Sequence, residues 1–335
     1  MKTRAVAIVA VVAAALMAQS TSTISGRVVF VDDGLPLSDA PIQAKNTSTG
    51  AIVAARSEAD GTYVLRGLTA GSYEISASYP GLVPFEKPSV EVHEAESRRL
   101  DIRIEYPYLA PLGESREDDV ARHKLVPPKG RTPRLPGGKP DLSGLWLNLE
   151  LMEPGHPEPL PWAAAWRKKQ IENHMIDWPE LRCLPIGPIL QGEDGDNTIV
   201  QGPKTIAIFY DIGHDLPRLI YMDGRPHPKD PNPSWMGHSV GKWEGDTLVI
   251  DTVGFNGRAW ASFTGLPTTE RLHVIERFRR IDLGHLEKEV TIDDPGAYAK
   301  PWTIKKAAVL APAGYEMQEY VCNENNRDVE HSVGK

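Results

Sequence analysis

Cysteine, long apolar runs and catalytic signature motifs are all scarce in this chain. Only two of its 335 residues are cysteine, Cys183 and Cys322, and neither has a second cysteine or a histidine at metal-binding spacing. A zinc finger or a Cys-x-x-Cys redox site is therefore not indicated. The chain also has no His-Glu-x-x-His and no phosphate-binding glycine-rich loop. No motif in it is specific enough to name a substrate.

A surplus of basic residues is lacking as well. Lysine and arginine together number 37 against 45 aspartates and glutamates, and the formal net charge is -8. Proteins that bind nucleic acid need a basic surface against the phosphates, so nucleic acid is not an expected partner. Charged residues make up 24% and hydrophobic residues 41%, which is typical of a folded globular protein. Nothing in the sequence indicates a cofactor.

The one long apolar run is at the N-terminus. Lys2 and Arg4 precede an apolar run over 5–18, and small or polar residues follow from Ala18 to Ser20. This order predicts a signal peptide over 1–20, cleaved near Ala18–Ser20, and hence a periplasmic or secreted protein. The alternative is a buried N-terminal helix. The run is too short to span a membrane, which needs roughly 20 residues, and no later segment resembles a span.

In an oxidising compartment, Cys183 and Cys322 are expected to form a disulfide, with two free thiols as the alternative. The bond would connect the start of the second domain with the last strand expected there.

Residues 23–105 form short strands separated by turns. Candidate strands recur every 8 to 12 residues, with turns at Asp32-Asp33-Gly34, Ser48-Thr49-Gly50 and Asp60-Gly61. This spacing predicts an all-β sandwich of the immunoglobulin type.

Three stretches of this segment resemble the carboxypeptidase regulatory-like domain, a transthyretin-like sandwich. They are Gly26-Arg27-Val28, Asp60-Gly61-Thr62-Tyr63 and Gly67-Leu68-Thr69-Ala70-Gly71-Ser72-Tyr73. The resemblance implies a tight turn at Asp60-Gly61 and a core that contains Tyr63 and Tyr73. It also implies a non-catalytic module, with carbohydrate binding as an analogy of fold only. A spacer or a protein-interaction module is the alternative.

Residues 106–140 are rich in proline, glycine and charge. Prolines at 127, 128, 133 and 136 exclude a continuous helix or a central strand. We expect an extended linker that lies along the second domain, with a basic partner site as the alternative.

Residues 141–335 are predicted to be mostly β, with one helix over 161–175. Short turns separate the candidate strands, so about eight strands in an antiparallel, barrel-like meander are expected. The candidates are 205–212, 218–222, 247–255, 272–280, 286–292, 302–310 and 315–321.

Two further resemblances concern this domain. Gly144-Leu145-Trp146 is similar to the Gly-x-Trp that begins the lipocalin barrel. The domain as a whole resembles an uncharacterised family of exported bacterial proteins, which implies no function. Its apparent hallmark stretches are 221–228, 237–246 and 291–295.

Strand alternation predicts that three charged side chains point into the barrel. Glu276 shares a face with Leu272, Val274 and Phe278, and the same count turns Asp294 and Lys306 inward. Buried charges are costly unless they are paired, bound to a ligand or catalytic. Two interpretations of these charges are compatible with the sequence: a salt-bridge cluster whose members are all paired, and a ligand pocket with an acid–base pair.

A second set of candidates lies on a proline-rich loop. Prolines at 226, 228, 231 and 233 stiffen a segment that carries ionisable and aromatic side chains, and stiffness suits a site. The set is Asp223, Arg225, His227, Trp235 and His238. His227 and His238 are candidate general bases, and their spacing matches no zinc signature. Ser239 directly follows His238, and adjacent residues do not by themselves form a nucleophile and its base.

The leading hypothesis is a binding protein whose barrel holds a carbohydrate or a small apolar ligand. Asp223, Arg225 and Lys306 would contact the ligand together with five tryptophans. The tryptophans are Trp146, Trp235, Trp243, Trp260 and Trp302. The alternative is a lyase or hydrolase with His227 or His238 as base and Glu276 or Asp294 as its acid partner. A third hypothesis is an assembly protein whose sandwich docks a protein partner.

Overall fold

A computed structural model describes the chain over residues 21–31, 34–79, 82–105, 125–173, 175–191, 196–211, 217–317 and 321–322, without the side chains of 148–150. The predicted signal peptide and residues 106–124 of the predicted linker lie outside these ranges. In the described part of the chain, no helix has the length and apolar character that a membrane crossing requires.

The first part of the chain forms two facing sheets. Four strands build one sheet, in which β1 pairs with β4 antiparallel and with β7 and β8 parallel. The other sheet has the order β3-β2-β5-β6. The strands are β1 (Ser22–Phe30), β2 (Pro41–Asn46), β3 (Ile52–Arg56), β4 (Thr62–Leu68), β5 (Gly71–Ala77), β6 (Phe85–Val92), β7 (Ser97–Arg99) and β8 (Ile102–Ile104).

The sandwich core confirms the aromatic and turn predictions. Tyr63 and Tyr73 are 2% and 3% exposed, and the Tyr63 hydroxyl donates to the carbonyl of Leu100 at 2.7 Å. Gly61 has φ +79 in the turn between β3 and β4, where L side chains are strained. The Asp60 carboxylate accepts hydrogen bonds from the backbone and hydroxyl of Thr62, which closes the same turn.

The described end of the predicted linker, 125–140, lies along the second part of the chain. The Arg134 guanidinium makes two hydrogen bonds to the carboxylate of Asp246, and Lys139 donates to the carbonyl of Gly245. The Thr132 hydroxyl donates to the carbonyl of Ile281 at 3.1 Å. These contacts hold an extended segment that has no helix or strand of its own.

Nine strands close a barrel in the second part of the chain. Helix α1 (Pro161–Glu172) and a 3-10 helix (Pro179–Arg182) lie between its first two strands. The barrel order is β10-β11-β12-β13-β14-β15-β16-β17-β9. The strands are β9 (Gly144–Glu153), β10 (Asn197–Gln201), β11 (Thr205–Tyr210), β12 (Arg218–Tyr221), β13 (His238–Glu244), β14 (Thr247–Val253), β15 (His273–Arg280), β16 (His285–Asp293) and β17 (Trp302–Leu310).

The all-β class is confirmed, and three details of the predicted meander are wrong. The barrel has nine strands because 144–153, 197–201 and 238–244 form strands that were not among the candidates. Strands β12 and β13 are parallel, so the barrel departs from the eight-stranded up-and-down lipocalin type. The predicted strand 315–321 is absent over its described residues, and β17 closes the barrel on β9.

The first barrel strand begins at the Gly-x-Trp motif. Trp146 is fully buried, its indole N–H donates to the carbonyl of Leu142 at 2.9 Å, and the Arg280 guanidinium lies over its ring. Arg280 also donates to the carbonyls of Asp141 and Leu283. Trp146 and Arg280 therefore close one end of the barrel.

A disulfide joins Cys183 to Cys322 across 139 residues. Cys183 directly follows the 3-10 helix, and Cys322 lies beyond the last barrel strand, β17. The disulfide therefore does not connect to a barrel strand at Cys322, as was expected.

The barrel interior contains a layer of charged side chains between two apolar clusters. Glu276 is fully buried, and the Arg218 guanidinium makes two hydrogen bonds to its carboxylate. The Lys288 ammonium lies 2.9 Å from Oε1 of this carboxylate, an oxygen that also accepts a hydrogen bond from Arg218. Burial alone would raise the pKa of Glu276, but the charges of Arg218 and Lys288 outweigh it and lower the pKa to about 2. Of the two interpretations, the satisfied salt-bridge cluster describes Glu276.

The chain also fills its own barrel from the other end. Lys306 donates to the carbonyl of Ile189 at 2.6 Å, and Lys288 donates to the carbonyl of Pro188 at 3.3 Å. The whole stretch 186–191 is buried. Toward the Trp146 end, described side chains surround a space of about 10 Å³, which holds about one water molecule.

The sandwich and the barrel share one continuous apolar cluster. Trp178 and Trp260 are 2% and 4% exposed and belong to the same buried cluster as Phe30 and Ile75 of the sandwich. Ile171, near the end of α1, lies in that cluster too. The sandwich is thus packed against the segments around α1.

Replacing Glu276 with glutamine is expected to destabilise the protein by about 3–5 kcal/mol, because Arg218 would keep a buried charge without a counter-ion. Urea unfolding of the variant measures this loss. Glu289→Gln is the matched control, since Glu289 lies on the outer face of the neighbouring strand and should change stability by roughly 0.5 kcal/mol or less. Equal stability of the two variants would contradict the buried ion cluster.

Candidate functional site

Two acidic residues predicted to act in catalysis have other partners. Asp294 accepts hydrogen bonds from the backbone and hydroxyl of Thr269 at 2.6 Å and from the backbone of Gly296 at 3.0 Å. It is buried as predicted, but its contacts tie two loops together. Glu276 is held by Arg218 and Lys288 inside the barrel. The hydrogen bonds of Glu276 and Asp294 described here therefore include none to His227 or His238.

The tryptophans expected to contact a ligand do not line a common cavity. Trp146, Trp260 and Trp302 are at most 5% exposed and belong to three different apolar clusters. Trp243 is half-buried against the cluster that contains Trp146. Trp235 is half-buried on the proline-rich loop. Because Lys306 and Trp302 are packed inside the barrel, the expected internal ligand site is replaced by core packing.

The proline-rich loop is the connection between the parallel strands β12 and β13. Parallel neighbours require a crossover, because the chain must return along the length of the strand before it can pair again. Residues 222–237 make this return over the outer wall of the barrel. Pro231 lies where a side-chain carbon at Gly254 would clash with it, and the Ser234 backbone donates to the carbonyl of Gly254.

The crossover brings two predicted histidines together. His227, on the crossover, lies with its Nδ1 2.9 Å from Nδ1 of His238, the first residue of β13. Nε2 of His227 lies 3.0 Å from Oδ1 of Asp251 on β14. Nε2 of His273, on β15, lies 3.0 Å from the same oxygen. These four residues, His227, His238, Asp251 and His273, are the histidine site.

The hydrogen bonds of the histidine site determine which imidazole nitrogens carry protons. A carboxylate only accepts hydrogen bonds, so Nε2 of His227 and Nε2 of His273 donate to Asp251. In a neutral imidazole the other nitrogen is then an acceptor, so Nδ1 of His238 donates to Nδ1 of His227. Nε2 of neutral His238 is left with its lone pair and can accept a proton or a hydrogen bond.

The histidine site is reachable from solvent. The side chains of His227, His273 and Asp251 are 22%, 34% and 42% exposed. The pKa of His238 is lowered by partial burial, by His227 and by the guanidinium of Arg225. His238 is therefore neutral at neutral pH, as a base or an acceptor must be.

An ion pair and two aromatic contacts border the histidine site. Arg225 makes hydrogen bonds of 2.9 and 2.6 Å to the carboxylate of Asp223. The pairing lowers the pKa of Asp223 to about 2. The Arg225 guanidinium also lies 4.1 Å from the ring centre of Tyr221, and that ring stacks with His238 at 5.3 Å. The predicted residues Asp223 and Arg225 are thus fixed beside His238.

Asp251 and His273 were missed by sequence reasoning. Strand alternation turns both outward, where charged residues are ordinary, so their burial pattern carried no signal. His273 lies opposite Asp293 of β16, within the stretch 291–295. The three stretches singled out in the second domain therefore meet on one outer face of the barrel.

No Gly-x-Ser-x-Gly nucleophile elbow is expected from the sequence, but residues 237–241 do have this spacing. A nucleophile elbow needs its serine on a sharp turn between a strand and a helix. Ser239 lies inside β13, is 2% exposed, and hydrogen-bonds to Arg218 and to the hydroxyl of Thr252. This serine is a structural group of the interior.

The histidine site does not have the arrangement of a metal centre. Its ring nitrogens point at each other and at Asp251. Within the described ranges, no three or more histidine, cysteine, aspartate or glutamate side chains are placed to hold a metal ion.

Replacing His238 with glutamine is expected to reduce the dependence of stability on pH between pH 7 and 5. The pKa of His238 is lower in the folded protein than in the unfolded chain, so the unfolded chain binds more protons just below pH 6.5. Stability from this group is complete above pH 6.5 and is lost as the pH falls through the folded pKa. Melting temperatures measured across this range test the slope. His93→Gln, at an exposed sandwich position, should keep the wild-type slope, and an unchanged slope in His238→Gln would contradict the assignment.

Comparison with solved structures gives only distant likenesses. The minor pilin GBS52 of Streptococcus agalactiae is 16% identical, with a TM-score of 0.25, over 29% of this chain and 49% of that chain. A type II cohesin-X-dockerin complex from Acetivibrio cellulolyticus is 19% identical, with a TM-score of 0.22, over 32% of this chain and 76% of that chain. A candidate carbohydrate-binding protein of Bacteroides uniformis is 9% identical, with a TM-score of 0.24, over 85% of this chain and 98% of that chain. This chain thus spans about half of the pilin's length, and TM-scores of this size carry no functional inference.

No curated protein matches the chain. One family model does, and it covers the sandwich that the strands, the Asp60-Gly61 turn and the two buried tyrosines define. Residues 23–105 match the family model of the carboxypeptidase regulatory-like domain.

Proposed function

We propose that the barrel is a ligand-binding module that takes a polar ligand of the carbohydrate class at the histidine site. The observation that carries this proposal is the preorganised, solvent-reachable set of His227, His238, Asp251 and His273 on the outer wall of a filled barrel. A small apolar ligand inside the barrel is not proposed, because Pro188, Ile189 and the charged layer occupy the described interior.

The chemistry of the site favours hydroxyl-rich ligands. Asp251 and Nε2 of His238 are acceptors for hydroxyl groups, and Arg225 provides donors beside them. Tyr221, the last residue of β12, and Trp235, on the crossover, are half-buried aromatics against which an apolar sugar face would pack. The sandwich is the non-catalytic part of this proposal, and a protein partner for it stays a prediction.

An enzymatic function is a second candidate, supported by the chain of hydrogen bonds from Asp251 through His227 to His238. This chain orients His238 and fixes the tautomer in which Nε2 carries the lone pair, which is what a general base needs. A lyase or hydrolase would use Nε2 of His238 to take a proton from the bound ligand.

A panel of glycans and small metabolites separates the two candidates. We expect a ligand at a hundredfold excess over its Kd to stabilise the wild-type protein by about 2.7 kcal/mol in thermal-shift experiments. His238→Ala and Asp251→Asn should lose this stabilisation, whereas His285→Ala, at an exposed pair with Asp282, should keep it.

Analysis of each stabilising compound for new products then tests turnover. Product formation that needs His238 supports the enzyme, and binding without turnover supports the binding module. A ligand that stabilises His238→Ala and Asp251→Asn as strongly as wild type would refute the site for both.

We also propose that the protein is exported. The basic start and apolar run of the first 18 residues support this, and so does the Cys183–Cys322 disulfide, because such bonds persist in oxidising compartments. The expected outcome is a mature chain that begins close to Ser20, found by N-terminal sequencing of protein from the cell envelope or the medium. An intact Met1 in cytoplasmic fractions would contradict export.

A further inference from the structure

Helix α1 presents two tryptophans to solvent. Trp162 and Trp166 are 45% and 37% exposed, although large aromatic side chains usually contribute to a core. They are four residues apart, so they lie on one face with about 5–6 Å between their Cβ atoms. Residues 164 and 165 between them are exposed alanines, which leave the indole faces unobstructed.

The opposite face of α1 is buried and fixes the orientation of this pair. Ala163 packs into the apolar cluster at the barrel end, and Ile171 packs into the cluster shared with the sandwich. The indole N–H of Trp162 donates to the carbonyl of Gly296 at 2.9 Å. Because its polar edge is already satisfied, Trp162 offers a ligand its apolar ring face.

The exposed face of α1 carries a local positive charge on an acidic protein. The Lys169 ammonium lies 6.0 Å from the ring centre of Trp166. Lys168 is paired with Glu172, the only acidic residue of the helix, at 3.7 Å. With a net charge of -8 over the whole chain, this face stands out as complementary to an anionic group.

The tryptophan pair lies at the same end of the barrel as the histidine site. Gly296, which holds Trp162, follows Asp293 by three residues, and Asp293 lies opposite His273. Three residues of extended chain span at most about 11 Å. A chain-like ligand can therefore contact both features.

We propose that Trp162, Trp166 and Lys169 form a docking platform for an acidic oligosaccharide whose chain extends toward the histidine site. Pyranose rings have an apolar face of C–H groups that packs on indole rings, and a uronate carboxylate would lie against Lys169. This inference rests on the proposed function, since it names the polymeric and acidic character of the ligand.

Calorimetric titration with short oligomers of galacturonate, glucuronate and mannuronate tests the platform. We expect one of them to bind the wild-type protein and to bind Trp166→Ala about fivefold more weakly, as for the loss of one aromatic partner. Trp166→Ala is preferred to a change at Trp162, because the bond to Gly296 makes Trp162 part of the fold. Lys169→Gln should weaken binding of the same oligomer, and a neutral oligomer of glucose of equal length should bind more weakly.

The control variant is Phe209→Ala, which removes an exposed aromatic side chain from β11, and it should bind like the wild type. Melting temperatures confirm that each variant is folded. No binding of any of the three uronate oligomers, or equal binding by Trp166→Ala and wild type, overturns the platform. If the neutral oligomer binds as tightly as the uronate oligomers, the proposed preference for an acidic ligand is overturned. If a protein binds the platform and no oligosaccharide does, the proposed ligand class is overturned.

The same titrations distinguish this inference from the proposed function. If His238→Ala loses binding and Trp166→Ala binds fully, the histidine site is supported and the platform is contradicted. The reverse result, with binding of oligomers but not of single uronates, leaves the platform and removes the histidine site.

Discussion

The parallel pairing of β12 with β13 is the constraint on which the candidate site depends. Ile220 and Tyr221 pair with Ser239 and Val240 in the same direction, so the chain has to travel back before β13 can begin. A tight turn could not make this connection. The return path crosses β13 and β14 on the outside and places His227 against Asp251. Without that crossover, His238 and His273 would be separate surface residues on a barrel wall.

The charged interior explains why the site lies on the outside. Arg218 of β12 and Lys288 of β16 compensate the charge of Glu276, and Lys306 donates to the carbonyl of Ile189. A buried ion cluster is tolerated only when its members are fully partnered. Opening a cavity among them would expose or unpair these charges, so the candidate site lies on the wall of the barrel.

Strand alternation predicted much of the interior and little of the site. It placed Glu276 and Lys306 inside, and the same count along β16 also turns Lys288 inward, so that partner could have been found. Arg218 shares its face with Ile220, which is a weaker signal in a strand of four residues.

The histidine site could not be derived in this way. Asp251 pairs with a histidine 24 residues earlier through a crossover, and no local pattern encodes a contact between a loop and the wall beneath it. The prolines of the loop predicted that it is stiff, but they did not predict which part of the barrel wall it packs against. Residue type and rigidity were readable from the sequence, whereas the strand order that combines them was not.

Helix α1 connects the two halves of the protein to both proposed binding features. Its first turn is anchored on the loop that follows β16, through Gly296, and its last turn enters the apolar cluster of the sandwich. The sandwich supplies part of the core that holds α1 in place. If the exposed tryptophans bind a chain-like ligand, the sandwich contributes to recognition without touching the ligand, by fixing the angle at which the two indole rings face solvent.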